Sequence, residues 1–473
     1  MTVERAHTKA EGDALERSPD RNVSALDGRY RDLTSELGDH VSEWALIKHR
    51  TRVEVEWLIR LADLPEIAEL RALSGDERSF LRDLVCSFDD DDARAVKHWE
   101  KITNHDVKAV EYYLRDRMAR AGLEDVVEFV HFASTSEDVN NLAHGLMLKG
   151  AVAEAWRPAA SALVDAVATM AFETRDTAIL SQTHGQPASP STFGKEMAVF
   201  VHRWRRQLAA LDRIEYLGKS NGVVGTYGAH SIAYPTVDWE AVTRAHVEAL
   251  GLTWNPLSTQ IESHDWIAEL LHVISRFNAI LLDFDRDIWL YISRRCLRQR
   301  AIAGEVGSST MPHKINPINF ENSEANAGVS IALGNHMAST LTVSRLQRDL
   351  SDSSLMRNLG AVVGHSLIAL KTARRGLARV EVDGAACAEE VAGRWELLGE
   401  AIQTILRKRG VPDPYDVLKS ISRGRLLTRD ALMEFLESAD LEPADRQRLC
   451  ELTPGAYTGM ASELVEHIRE RRS

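Results

Sequence analysis

The run GSSTMPHKINP, Gly307 to Pro317, sets three adjacent hydroxyls, Ser308, Ser309 and Thr310, ahead of Lys314 and Asn316. Gly307, Pro312 and Pro317 punctuate it, so it reads as a loop and not as the middle of a helix. Such a loop can press a hydroxyl against a substrate while its backbone N–H groups and Lys314 meet an anion. An ordinary connector uses the same residue types, so the remaining polar islands of the chain have to decide between the two.

Five more islands interrupt the apolar periodicity. LDGRYRD, with Arg29 and Tyr30, reads as a turn. In TNHDVKAVEYYL, Thr103 or Asn104 is expected to cap the following helix, with Asp106 at its positive end; His105 has no part in that cap. In STSEDVNN, Thr135 and Ser136 precede Glu137 and Asp138, the pattern of a helix start, and a hydroxyl-capped N-terminus also receives carboxylates and phosphates. SQTHGQPASPST places His184 in a Gly- and Pro-bounded loop before a long helix, and imidazole is the side chain best suited to move protons near neutral pH. Glu321, beyond the opening loop, stands at the next helix start, where it can complement the helix dipole or orient an imidazole. In SRLQRDLSDSSLMRN, Arg348, Ser353 and Arg357 form either a solvated face or a phosphate-sized clamp.

These islands need rigid elements to hold them. Ala, Leu, Glu and Arg dominate the chain, with 13 Pro and 28 Gly in 473 residues, so a mostly helical protein is expected. From His264 to Tyr291, Ile267, Leu270, Ile274, Phe277, Leu281, Phe284, Ile288 and Tyr291 form a heptad seam, read as a bundle or subunit interface. Long apolar-periodic stretches also cover 139–174, 190–217, 322–342 and 354–377, and Pro158 should kink or break the first. Shorter helices are expected around 41–64, 75–88 and 106–121, and a turn at Val411 to Pro414. The predicted architecture is all-α: a tail over 1–20, an N-terminal helical domain over 21–124, a central long-helix bundle over 125–377 and a C-terminal helical domain over 378–473.

Bulk properties exclude some classes. The formal net charge of −13 argues against nucleic acid as main partner, though not against a small anion held by local arginines. Cys86, Cys296, Cys387 and Cys450 form no CxxC pair and no zinc spacing, so they read as reduced thiols. No apolar run approaches a membrane span, and the polar N-terminus has no apolar core of a secretory signal. A cytoplasmic enzyme is the expectation.

The order TSEDVNN, THGQPASPST and GSSTMPHKINP, in a helical chain, resembles the fumarase/aspartase superfamily of lyases. The strings TNHDVKAVEYYL, WNPLSTQIESHDWIAEL and SRLQRDLSDSSLMRN resemble, within it, the adenylosuccinate lyase family. The resemblance runs from about Ala25 into the C-terminal region. It implies a β-elimination that releases fumarate from adenylosuccinate, giving AMP, and from the succinylocarboxamide intermediate of purine synthesis. It implies Ser308 as catalytic base, His184 as general acid and Glu321 as the partner of that histidine. It implies substrate contacts at Arg29, Tyr30, Asn104, His105, Asp106, Thr135, Ser136, Gln260, Lys314, Asn316, Arg348, Ser353 and Arg357. It implies a homotetramer whose active sites are shared between subunits, with no metal or organic cofactor. In GVVGTYGAH, Val223 stands where the family pattern has Ala, and Gly228 where some relatives have Asn.

Overall fold

The structure, a computed structural model, describes residues 21–302, 304, 310–311, 313–422 and 427–469. The chain is helical where its apolar residues recur at helical spacing. The helices used below are α1 (Glu43–Leu61), α2 (Gly75–Cys86), α3 (Asp90–Thr103), α4 (Asp106–Arg120), α5 (Ser136–Gly150), α6 (Arg157–Glu173), α7 (Phe193–Leu211), α8 (Asp265–Ser293), α9 (Ile318–Leu341), α10 (Ser351–Met356), α11 (Leu359–Leu377) and α12 (Gly384–Val391). The expected helices around 41–64, 75–88 and 106–121 are α1, α2 and α4. Helix α3 carries no long apolar stripe and was not foreseen; only Val96 is buried along it.

Pro158 acts where expected, by a different route. Its missing N–H cannot close a bond to Glu154. The chain does not stop; Ala151–Trp156 take a π-helical turn that carries α5 into α6. The expected helix over 190–217 begins only at Phe193, because Gln186–Thr192 form a strand.

Two compact units emerge. Of the described residues, those within 1–160, 207–279 and 325–369 form the first, and those within 161–206, 280–324 and 370–473 the second. In the first unit, Trp57, Leu58, Leu81, Val110, Tyr113 and Leu114 belong to one apolar core. A second core joins Val53, Val107, Val139, Leu142 and Val247. A buried polar chain sets the register of its long helices. Trp156 Nε1 donates to Ser366 Oγ (2.7 Å), Ser366 Oγ to Asn278 Oδ1 (2.9 Å), Asn278 Nδ2 to Ser330 Oγ (3.0 Å) and Ser330 Oγ to the Val362 carbonyl (2.8 Å). Each member is satisfied, so the network tolerates burial and disfavours a slipped packing.

In the second unit, Phe200, Trp204 and Phe284 stack edge to face around α7 and α8, with ring centroids 5.3 Å apart for Trp204 and Phe284. A separate C-terminal core gathers Leu398, Ile402, Leu406, Leu432 and Leu436. The heptad positions Ile267 to Ile288 are buried inside the chain itself, so the seam is intrachain packing. Apolar side chains left open on the long helices include Val199 on α7, Trp289 and Leu290 on α8, and Ile318 and Val329 on α9.

Strands are few among the described residues. β1 (Ala178–Thr183) pairs antiparallel with β2 (Gln186–Thr192), β3 (Leu217–Gly218) parallel with β4 (Thr253–Trp254), and β5 (Leu297–Gln299) antiparallel with β6 (Val380–Val382).

Candidate active site

Helix α5 carries the TSEDVNN motif and divides its polar residues between two faces. Asp138 and Asn141, three apart and so neighbours on one face, hold the segment after β3. The Asp138 carboxylate accepts from the N–H groups of Asn221 (3.0 Å) and Gly222 (3.1 Å), and pairs with Lys219 Nζ at 2.9 Å. Asn141 Oδ1 accepts from the Lys219 N–H (2.8 Å) and its amide donates to the Lys219 carbonyl (3.0 Å). Asp138 also accepts from the Thr135 N–H (2.8 Å), half of a capping box, so the expected helix start is real.

Glu137 and Asn140 form the other face and meet arginines. Glu137 Oε1 accepts from Asn140 Nδ2 (2.7 Å) and from Arg348 (2.8 Å), whose guanidinium also donates to Gln260 Oε1 (3.2 Å). Arg50, on α1 and buried, donates to Asn140 Oδ1 (2.8 Å) and Asp106 Oδ2 (2.7 Å). Asp352 on α10 lies 3.8 Å from Arg348 and 3.5 Å from His264 Nε2. Arg50, Glu137, Asn140, His144, His264, Ser353 and Arg357 line one narrow cavity. The structure thus brings together Asp106, Gln260, Arg348, Ser353 and Arg357 of the residues expected to bind substrate.

Charge is balanced in this cluster, but the donors are not all spent. Burial works to raise the Asp106 carboxyl; the Arg50 charge and hydrogen bond, the Val107 N–H and Arg357 outweigh it and hold it below the usual range. Burial likewise opposes Asp352, and the His264 hydrogen bond with the Arg348 charge brings its carboxyl down. His144 is pushed down to about 3 by burial and then by Arg50, His264 and Arg357, so its imidazole is neutral. Among the described residues, Arg348 Nε is buried without a partner. Arg357 approaches Asp106 at 3.7 Å and Glu43 at 3.8 Å, beyond hydrogen-bond reach, and is about half exposed. Among the described residues, two arginines therefore keep N–H groups without hydrogen-bond partners.

The cap of α4 differs from expectation. Neither Thr103 nor Asn104 caps it. Asn104 ends α3 in the left-handed region (φ 51°), and His105 is the cap: its Nδ1 accepts from the Lys108 N–H at 3.1 Å. An imidazole nitrogen replaces the usual side-chain oxygen, which fixes the proton on Nε2. Ser136 opens α5 beside Thr135, both half-buried. Arg29 is exposed and Tyr30 half-buried on a segment whose Leu26, Asp27 and Arg31 line a cleft of about 1160 Å³ with Glu43 and Arg357.

His184 belongs to the second unit. The expected loop is a hairpin, with Thr183 paired to Gln186 and His184-Gly185 as the two-residue turn. Both turn residues have positive φ, 54° and 72°, the geometry whose twist matches that of antiparallel strands. Pro187 and Pro190 do not prevent it, since a two-stranded ribbon consists only of edges. The hairpin is braced from below: Arg294 donates to the Leu180 carbonyl (2.7 Å) and pairs with Glu390 of α12 (2.7 Å), while Ser189 Oγ donates to Glu400 (2.5 Å). The imidazole at the tip is exposed.

Glu321 lies in the first turn of α9, and its Oε1 accepts from Trp289 Nε1 at 3.3 Å. Among the described residues no hydrogen bond joins it to His184. Lys314 is exposed and Asn316 half-buried on the approach to α9, where the Ile315 carbonyl accepts from Gln299 Nε2 (2.6 Å). Ser308 lies outside the described residues.

Arg50, His144, His264 and Asp352 escaped the sequence reading. Arg50 sits in HRTRVEVEW, where nothing separates a buried arginine from the half-buried Arg52, and His264 directly precedes the seam that drew attention to packing. The departure at Val223 touches the site only through its backbone: its carbonyl accepts from Gln260 Nε2 (3.0 Å) while its side chain is exposed. A side chain at Gly228 would meet only Thr226 Oγ1, at 3.6 Å.

Comparison with known proteins gives the family. Residues 28–331 match the family described as Lyase, and 344–458 match the family described as Adenylosuccinate lyase C-terminal. The chain is 48% identical over 448 residues to adenylosuccinate lyase of Escherichia coli strain K12, covering 94% of this chain and 98% of that one. It is 47% identical over 447 residues to the Haemophilus influenzae adenylosuccinate lyase, with the same coverage. Among solved structures, a fumarate lyase from Mesorhizobium sp. BNC1 superposes with a TM-score of 0.73 at 19% identity, covering 92% of this chain and 97% of that one. A 3-carboxy-cis,cis-muconate lactonizing enzyme from Pseudomonas putida gives 0.68 at 21%, covering 89% and 93%. These solved structures share the all-α, fumarase/aspartase-like fold. With near full-length identity to curated members and both family regions in place, the chain belongs to the adenylosuccinate lyase family.

Proposed function

We propose that this protein is a carbon–nitrogen lyase that eliminates fumarate from adenylosuccinate and from the succinylocarboxamide intermediate of purine nucleotide synthesis. Its family membership supports the reaction, and one observation in the site carries the substrate class. Arg348 Nε is buried without a partner, and Arg357 makes no hydrogen bond among the described residues. Unspent guanidinium donors beside Ser353 suit a phosphate dianion, which takes forked N–H bonds. Gln260, Asn104 and the Thr135–Ser136 helix start supply neutral donors for the remaining polar groups.

Elimination needs two proton transfers. Ser308 removes the weakly acidic C–H proton next to a carboxylate, and His184 gives a proton to the departing nitrogen. The first transfer builds a dianionic, enol-like carboxylate, so stabilising that charge dominates the barrier. Lys314, Asn316 and loop N–H groups do this work, and they also make a serine alkoxide accessible in a water-poor site. Glu321 orients the His184 imidazole.

The working form is a homotetramer with active sites shared between subunits. The open apolar side chains Val199, Leu290 and Val329 on three long helices support this. So does the lack of a His184–Glu321 hydrogen bond within one chain. No helix of the described residues is long and apolar enough to cross a membrane. We place the protein in the cytoplasm, where purine nucleotides are made.

The purified protein should release fumarate from adenylosuccinate in a continuous absorbance assay. Ser308→Ala and His184→Ala should each cut kcat by at least about 100-fold with assembly unchanged. Near-normal turnover by either variant would remove it from the mechanism.

A further inference from the structure

We infer that Trp289 is a positioning residue for Glu321, its indole N–H holding one carboxylate oxygen so that the other is presented to the imidazole. This rests on the reading of Glu321 as the partner of His184. Helices α8 and α9 run antiparallel here in a defined register. Arg286 Nε donates to Glu324 Oε1 at 2.8 Å, and one turn along each helix Trp289 Nε1 donates to Glu321 Oε1 at 3.3 Å.

Core packing does not account for this tryptophan. Its residue is 44% exposed, whereas Trp57, Trp156 and Trp204 are almost fully buried. Trp289 takes part in no aromatic stack or cation–π pair among the described residues. Its polar contact with Glu321 is what distinguishes the position. An indole N–H is a donor only and does not titrate. It therefore binds a carboxylate oxygen without competing with the imidazole for a proton. Asp285, one turn earlier on the same face of α8, is buried and its carboxyl is pushed well up by desolvation.

The test compares wild type, Trp289→Phe, Glu321→Gln and the double variant, following kcat and KM with adenylosuccinate. Phe keeps an aromatic ring and deletes the donor. Trp289→Phe is expected to lower kcat by roughly 10- to 100-fold with little change in KM. The double variant should lose no more than Glu321→Gln alone. Trp289→Gln, which returns an N–H donor, should recover most of kcat. A Phe variant with wild-type kcat, additive losses in the double variant, or a folded Gln variant no faster than Phe would each overturn the proposal. Full activity in Glu321→Gln would instead overturn the His184–Glu321 reading beneath it.

Discussion

Lys219 Nζ lies 2.9 Å from Asp138 Oδ1, and both side chains are almost completely withdrawn from water. The two partners are not equally supported. Asp138 keeps backbone N–H bonds from Thr135, Asn221 and Gly222, whereas Lys219 Nζ has besides it, among the described residues, only the Gly222 carbonyl at 3.4 Å. Removing one partner of a buried pair costs about 3–5 kcal/mol because a charge is left uncompensated. Asp138→Asn should fall at the upper end of that range and Lys219→Met at the lower. Urea unfolding of the two variants checks the order, and equal or reversed losses would contradict it.

Gly185 follows His184 in a turn that needs positive φ at both positions. A β-branched residue there is strained by roughly 1–2 kcal/mol. Gly185→Val should therefore shift the thermal midpoint modestly and reduce kcat far more than stability, because the imidazole is displaced. If kcat and KM are unchanged, the turn does not position a catalytic group.

Arg348 and Arg357 should respond differently to lysine. Arg348 is forked between Glu137 and Gln260 inside the cluster, and an ammonium cannot reproduce the fork. Arg348→Lys should lower both stability and substrate affinity. Arg357→Lys, at an open position without hydrogen bonds among the described residues, should raise KM about tenfold or more with stability within about 0.5 kcal/mol of wild type. Calorimetric binding of AMP beside urea midpoints separates the two outcomes.

His131 Nδ1 is 2.5 Å from the buried Glu54 carboxylate, which also accepts the His131 N–H at 3.1 Å. Burial opposes the imidazolium, but the Glu54 charge and hydrogen bond outweigh it and raise its pKa above the ordinary 6.5. A raised folded value means that the native state binds more protons than the unfolded one. The stabilisation is thus complete below about pH 6.5 and is lost as the pH rises through the folded value. Glu54→Gln should flatten this fall. Urea midpoints at pH 6 and pH 8.5 for both proteins test it: a slope as steep in the variant as in wild type would assign the titration elsewhere.

Much of the scaffold was legible because it depends on spacing. The seam from Ile267 to Ile288 is a repeat of buried apolar residues, and α8 follows it within a few residues at either end. Pro158 announced a disturbed ladder because it has no N–H to give. The His184 hairpin was less visible, since its strands are short, polar and rich in Pro, and its turn is defined by two positive φ values that His-Gly permits without demanding. The His105 cap was hidden for a related reason: imidazole seldom caps, and only the placed Lys108 N–H shows that it does here.

The chemistry-bearing islands and their family are properties of the sequence by itself, because residue types and local spacing persist whatever the chain does at long range. Which charges meet is a different matter. Arg50 reaches Asp106 and Asn140, and Arg348 reaches Glu137, across separations of 56 to 211 positions. No local pattern encodes such pairs. They form only when packed helices bring distant side chains into water-poor contact, where an unpaired charge costs several kcal/mol and the fold must supply its partner. The tertiary structure decided that Arg50 and Arg348 are held by carboxylates, that Arg357 keeps its donors, and that Glu321 meets Trp289.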